Sequence, residues 1–90
     1  MQINIYIIQL TVSIQLAIIF AIMAESLNWE ATYAVALALK DAHPQVEMEN
    51  VSLMMIYRWT LDLPTFDDDP ALANDDILLA IYQDWFEEII

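Results

Sequence analysis

An all-α fold is predicted for residues 25–90, and three observations predict it. Apolar residues recur at three- and four-residue spacing in three separate stretches, the signature of helix faces. Each stretch opens near a Ser or Asn able to cap a helix, and the first two run into prolines, Pro44 and Pro64. The chain has no Cys and no Gly. The missing Cys removes disulfides, thiolate-zinc sites and cysteine nucleophiles, and the missing Gly removes glycine-dependent phosphate loops. Ninety residues allow one small domain at most. Three short helices sharing one apolar core are the economical solution.

Residues 1–24 stand apart as an apolar extension with no side chain charged at neutral pH. Ile3 to Ala24 is long enough, at about 1.5 Å per residue, to cross a hydrocarbon core of about 30 Å. Asn4, Gln9, Thr11, Ser13 and Gln15 weaken a transmembrane reading, as does the lack of flanking Lys or Arg. A cleaved signal peptide lacks its positive n-region. A third reading starts translation at Met23, immediately before the first capped amphipathic stretch, and makes the extension dispensable.

The first helix is expected from the neighbourhood of Ser26 or Asn28, either of which can act as N-cap, with Glu30 in the first turn. Thr32, Val35, Ala36, Leu39 and His43 fall on its inward face, and Pro44 ends it. Gln45–Asn50 reads as a short polar connection, with a brief extended piece possible around Val51–Leu53. Asn50 or Ser52 can cap a second helix whose inward positions are Leu53, Ile56, Trp59, Thr60 and Leu63, with Tyr57 at the edge. The connection Thr65–Ala73 carries Phe66, expected to insert into the core, and the carboxylates of Asp67, Asp68 and Asp69, expected to stay solvated. Asn74 caps the third helix, and Asp75 and Asp76 occupy its first turn. Ile77, Ile81, Trp85 and Glu88 form one line on that helix, with Leu78, Tyr82 and Ile89 beside it.

The formal charge is -12, from 14 Asp and Glu against 2 Lys and Arg. Such a field repels nucleic acid and anionic lipid, and it draws basic surfaces and cations. Three consecutive carboxylates repel one another, so water, a cation, helix N-termini or a basic partner must offset that cost. Oxygen ligands suit hard divalent ions, and Asp75 or Asp76 could join Asp67–Asp69 from the next helix start. The spacing is not that of an EF-hand. A solvated turn that doubles as a docking surface competes with a weak surface cation site. His43, the single His, is expected to complement a helix C-terminus. Without a second His or a neighbouring nucleophile it supports neither a zinc site nor a triad. The three Trp residues read as core, one per helix, while Tyr33 and Tyr57 are candidate contact residues if exposed. Nothing in this inventory assembles an active site, so no enzymatic activity is expected.

Leu27-Asn28-Trp29, Asp41-Ala42-His43-Pro44 and Trp59 with Leu63 form one half of a pattern. The other half is Phe66-Asp67-Asp68-Asp69-Pro70, Asn74-Asp75, Ile77-Leu78, Ala80-Ile81 and Trp85 with Glu87-Glu88. Together they resemble the IscX family of small acidic iron-sulfur cluster assembly proteins, without apparent gaps over residues 27–88. The resemblance implies a helical fold similar to a modified winged helix, without that fold's usual DNA-binding role. It implies a cytoplasmic adaptor that binds the cysteine desulfurase of cluster assembly through its negative surface, overlapping with a frataxin-like protein. It also implies weak binding of ferrous iron, through which members are alternatively described as iron donors. Asp67, Asp68, Asp69 and Asp75 match the acidic motif and are the implied iron-contacting residues. Asp41, Asp67, Asp68, Asp69, Asp76, Glu87 and Glu88 are the implied partner-binding residues. Three departures stand out. Leu53-Met54-Met55 replaces the family's aromatic-Thr-Asp opening of the second helix, which loses a carboxylate and a capping oxygen. Asp75 replaces the usual Glu after the loop asparagine. The apolar extension has no counterpart, since members are normally soluble and about as long as residues 25–90.

Overall fold

The computed structural model describes residues 26–90, and the readings of the apolar extension lie outside the described residues. Helices α1 (Thr32–Ala42), α2 (Leu53–Asp62) and α3 (Asp75–Ile89) are joined by connections that carry single 3-10 turns at Met48–Asn50 and Pro70–Leu72. Among the described residues the fold is all-α: extended pairing is limited to one isolated parallel bridge between Leu27 and Phe66. The longest helix, α3, is the organiser, packing against both α1 and α2.

Helix α1 is rich in Ala and Leu, strong helix formers, and it buries Val35, Ala36 and Leu39 on one side. That is the inward face expected from the spacing. Its start differs from expectation. The Asn28 side chain accepts from the Glu30 and Ala31 N–H groups at 3.0 and 3.1 Å. These bonds cap a turn that precedes the helix, which begins at Thr32 with no side-chain cap of its own. Glu30 therefore lies outside the first helical turn, and Trp29 belongs to no helix. The reason is tertiary: the Trp29 N–H is taken by Asp68, and its ring is 1% exposed. Burying that ring draws residues 27–30 off a helical path. At the other end, the His43 N–H closes onto the Leu39 carbonyl at 2.8 Å before Pro44 stops the helix. The His43 ring stacks on Trp59 with centroids 4.0 Å apart, so it packs between helices besides lying at a helix end.

The connection after α1 is less polar than expected, because Met48 and Val51 are buried in the core. The Met48 carbonyl accepts from the Tyr82 hydroxyl at 2.9 Å, pinning the 3-10 turn to α3. Extended backbone occurs at Glu47, before the 3-10 turn, and at Val51 and Ser52, which lead into α2. That start is capped despite its unusual Leu-Met-Met opening. Ser52 Oγ accepts from the Met55 N–H at 3.1 Å, and the Ser52 N–H donates to Met55 Sδ at 3.4 Å. A thioether thus stands where a capping box normally has a carboxylate. Ile56 and Thr60 are the fully buried positions of α2, and Thr60 Oγ1 donates back to the Ile56 carbonyl at 2.7 Å.

Helix α3 begins as the sequence indicates. Asn74 Oδ1 accepts from the Ile77 N–H at 2.9 Å, and Asp75 and Asp76 fill the first turn, where the positive end of the helix dipole favours them. Leu78, Ile81 and Trp85 are its buried residues. Among the described residues, no buried side-chain polar atom lacks a hydrogen-bond partner.

Candidate functional site

The Phe66–Pro70 segment lies beside Leu27-Asn28-Trp29, nearly forty residues earlier in the chain. The Leu27 N–H donates to the Thr65 carbonyl at 2.8 Å, and the Asp67 N–H donates to the Leu27 carbonyl at 2.9 Å. Those two bonds make the short parallel bridge. The Trp29 backbone N–H donates to Asp68 Oδ2 at 3.0 Å, while the other carboxylate oxygen accepts from the Asp69 N–H at 2.7 Å. The Trp29 indole Nε1 donates to the Asp69 carbonyl at 2.8 Å. Asp69 Oδ1 in turn accepts from the Ala71 N–H at 2.9 Å, capping the 3-10 turn that Pro70 opens.

Ring packing completes this lock. Phe66 meets Trp29 edge-on at 4.6 Å, and Tyr57 stacks on Trp29 at 5.9 Å with the planes 2° apart. Phe66 thus packs against the core as expected. Trp29 is simultaneously the hydrophobic payload and the polar connector, since its ring fills the core and both its N–H groups reach the loop. The expectation that all three carboxylates stay solvated therefore needs correction. Asp68 is half-buried and doubly bonded to backbone, and Asp69 is exposed but serves as a cap; Asp67 alone presents its carboxylate outward without such a role. Backbone N–H groups offset part of the repulsion between neighbouring carboxylates at Asp68 and Asp69.

The remaining acidic positions separate into two ends. Asp67, Asp75 and Asp76 are exposed around the N-terminal end of α3. A shallow depression there is lined by Asn28, Glu30, Asp67, Asp68, Leu72 and Ile77. Asp41, Glu87 and Glu88 are exposed near the C-terminal ends of α1 and α3. Asp76 and Glu88 are separated by roughly 18 Å along the helix axis, at about 1.5 Å per residue. No single small ligand bridges that distance. Among the described residues, no three His, Cys, Asp or Glu side chains converge in a way that could hold a metal ion. Asp67, Asp68, Asp69 and Asp75 are thus close in sequence without forming a ligand set.

Two further acidic contacts tie α1 to α3. Thr32 Oγ1 donates to Asp84 Oδ2 at 2.9 Å. The negative charge of Glu88 holds the Tyr33 phenol above its ordinary pKa, with smaller contributions from desolvation, a hydrogen bond to Glu88 and the charge of Asp84. Tyr33 is 53% exposed, as a contact residue must be, whereas Tyr57 is half-buried against Trp29.

The model of a family described as "Iron-sulphur cluster assembly" matches residues 27–89, the span that contains this lock and both acidic ends. The chain belongs to this family. A relative from Pseudomonas aeruginosa, described only as an uncharacterized protein, is 35% identical over 63 residues, covering 70% of this chain and 96% of the relative. The IscX resemblance drawn from the LNW and FDDDP motifs is therefore correct. Membership in the iron-sulphur cluster assembly family makes the protein an assembly factor by family, and no described helix is long and apolar enough to cross a membrane.

The tie between Trp29 and Asp68 could not be read from spacing within either motif. The available signal was their joint occurrence: an Asn-Trp pair preceding the first helix and an Asp-rich turn preceding the last. Pairing two such turns is a common way to satisfy backbone donors outside helices.

Proposed function

We propose that the protein is a non-enzymatic, cytoplasmic adaptor of iron-sulfur cluster assembly that docks on a basic surface of the cysteine desulfurase and modulates its activity. One observation carries this reading: Asp41, Asp67, Asp75, Asp76, Glu87 and Glu88 are all exposed on a chain of formal charge -12. The placement of Glu87 and Glu88 adds to it. They occupy the last turn of α3, which holds no basic residue, and negative charge at a helix C-terminus costs about 0.3–1 kcal/mol per residue. A basic partner surface turns that cost into attraction.

Long-range attraction of this kind speeds encounter and weakens as salt screens it. A frataxin-like protein using the same basic surface would compete. The test is calorimetric titration of the desulfurase with the wild-type chain and with Asp67→Lys/Asp76→Lys. The expected result is at least tenfold weaker binding by the variant at low salt, with the gap narrowing as salt rises. Equal affinity at low salt would exclude the N-terminal end of α3 from the interface.

Iron donation is the second reading, and exposed Asp67 and Asp75 favour it to the extent of weak, solvated contacts with ferrous iron as cargo. Anaerobic ferrous titration separates the two readings. A variant with Asp67→Asn and Asp75→Asn that loses iron yet still binds the desulfurase would assign these side chains to iron donation.

A further inference from the structure

The reciprocal bond at the start of α2 is made by sulfur. The Ser52 N–H donates to Met55 Sδ at 3.4 Å, while Ser52 Oγ accepts from the Met55 N–H at 3.1 Å. A thioether, a weak acceptor, thus fills a position that an oxygen acceptor ordinarily takes. The bond is exposed. Met55 itself is half-buried and packs against the edge of the core without belonging to its buried cluster. The other methionines of the described residues mark the two extremes of access: Met48 is 4% exposed and Met54 56%. Met55 is the one whose sulfur holds a helix cap.

We propose that Met55 is a modification site for peroxides, at which oxidation to the sulfoxide replaces a weak helix cap by a strong one. One sulfur lone pair faces the Ser52 N–H, and the thioether has a second. That pair attacks an oxygen of hydrogen peroxide and the O–O bond breaks. The departing hydroxide takes the proton of the transferred oxygen and leaves as water, so that sulfur loses two electrons and the peroxide gains them. The new oxygen carries partial negative charge and is a strong acceptor. It arises beside the N–H that already touches the sulfur, at a helix start whose first-turn N–H groups have no partner within the helix and whose dipole favours negative charge. Methionine sulfoxide harms a protein where it forces a polar group into an apolar core, as it would at Met48. At Met54 the oxygen lands in solvent. At Met55 it meets donors, and the oxidation state of one side chain sets how firmly α2 begins.

The experiment treats the full chain with dilute hydrogen peroxide and maps the modified sites by peptide mass spectrometry. The unsubstituted chain, which needs no variant to fold, is expected to react in the order Met54, Met55, Met48. Met54→Leu is then compared with Met54→Leu/Met55→Leu, a control in which every other methionine reacts alike, by thermal unfolding and by exchange of the Ser52 amide. After subtraction of the control's change, oxidised Met54→Leu is expected to melt roughly 2–6 °C above its reduced form, with Ser52 exchange slowed about threefold or more. Methionine sulfoxide reductases of both stereospecificities are expected to reverse both changes. A melting temperature at or below that of the reduced form overturns the inference, as does a shift that survives the reductases. Modification of Met55 no sooner than Met48 overturns it too, since the sulfur would then be reached only through unfolding.

Discussion

Both carboxylate oxygens of Asp68 accept from backbone N–H groups, one from Trp29 at 3.0 Å and the other from Asp69 at 2.7 Å. Asp67, one position earlier, has an exposed side chain and contributes to this junction through its backbone N–H. Neighbouring aspartates of one triplet are thus expected to respond differently to truncation. Asp68→Ala strands the part-buried Trp29 N–H and leaves the exposed Asp69 N–H to water, at a cost of about 1–3 kcal/mol, which lowers the melting temperature by roughly 4–8 °C for each kcal/mol in a domain of this size. Asp67→Ala removes only surface charge and is expected to stay within about 0.5 kcal/mol of wild type. Thermal unfolding followed by circular dichroism measures both. A melting temperature for Asp68→Ala equal to that of Asp67→Ala would contradict the structural role of Asp68. The triplet itself was legible in the sequence, because consecutive carboxylates demand an explanation. Their separate roles were not, because the donor that claims Asp68 is 39 residues away and no local pattern reveals it.

At the scale of elements, helix termini show where local chemistry suffices and where it fails. Asn74 was legible as a cap because its bond to Ile77 is local and nothing distant competes for it. The start of α1 was misplaced because Trp29 is drawn into the core and onto the Asp-rich turn, a demand that overrides the capping potential of Asn28. Helix α2 is an intermediate case. Its Leu53-Met54-Met55 opening suggested a weakened start, yet Ser52 supplies the oxygen and Met55 the reciprocal acceptor. Ser52→Ala is expected to cost about 1 kcal/mol, and restoring a carboxylate with Met55→Glu is expected to strengthen the reciprocal bond. Denaturant midpoints of the two variants check this. A midpoint unmoved by Ser52→Ala would show that tertiary packing alone holds the first turn of α2.

For the molecule as a whole, the absence of Cys leaves packing and hydrogen bonds to hold 65 described residues together. At roughly 0.05–0.15 kcal/mol per residue, such a domain commands about 3–10 kcal/mol in total. Losing a buried Trp costs roughly 3–5 kcal/mol, so the Trp29 junction that closes the loop before α3 onto the segment before α1 is a large fraction of what the fold has. On the docking function proposed above, the junction matters because it sets Asp67 beside the start of α3. The all-α class, the three helices and the family were legible in spacing, caps and motifs. So were the acidic residues at the two ends of α3; the placing of Asp67 beside the first of them was not, since it follows from the junction of the Asp-rich turn with residues 27–29. The most direct measurement of the central claim is amide and indole resonance mapping of the isotope-labelled full chain during titration with the cysteine desulfurase. The account predicts that the amides of Asp67, Asp75, Asp76, Asp41, Glu87 and Glu88 shift or broaden, while the Trp29 indole N–H, bonded to the Asp69 carbonyl inside the fold, stays in place. Unchanged carboxylate-bearing positions with a perturbation centred elsewhere would contradict it.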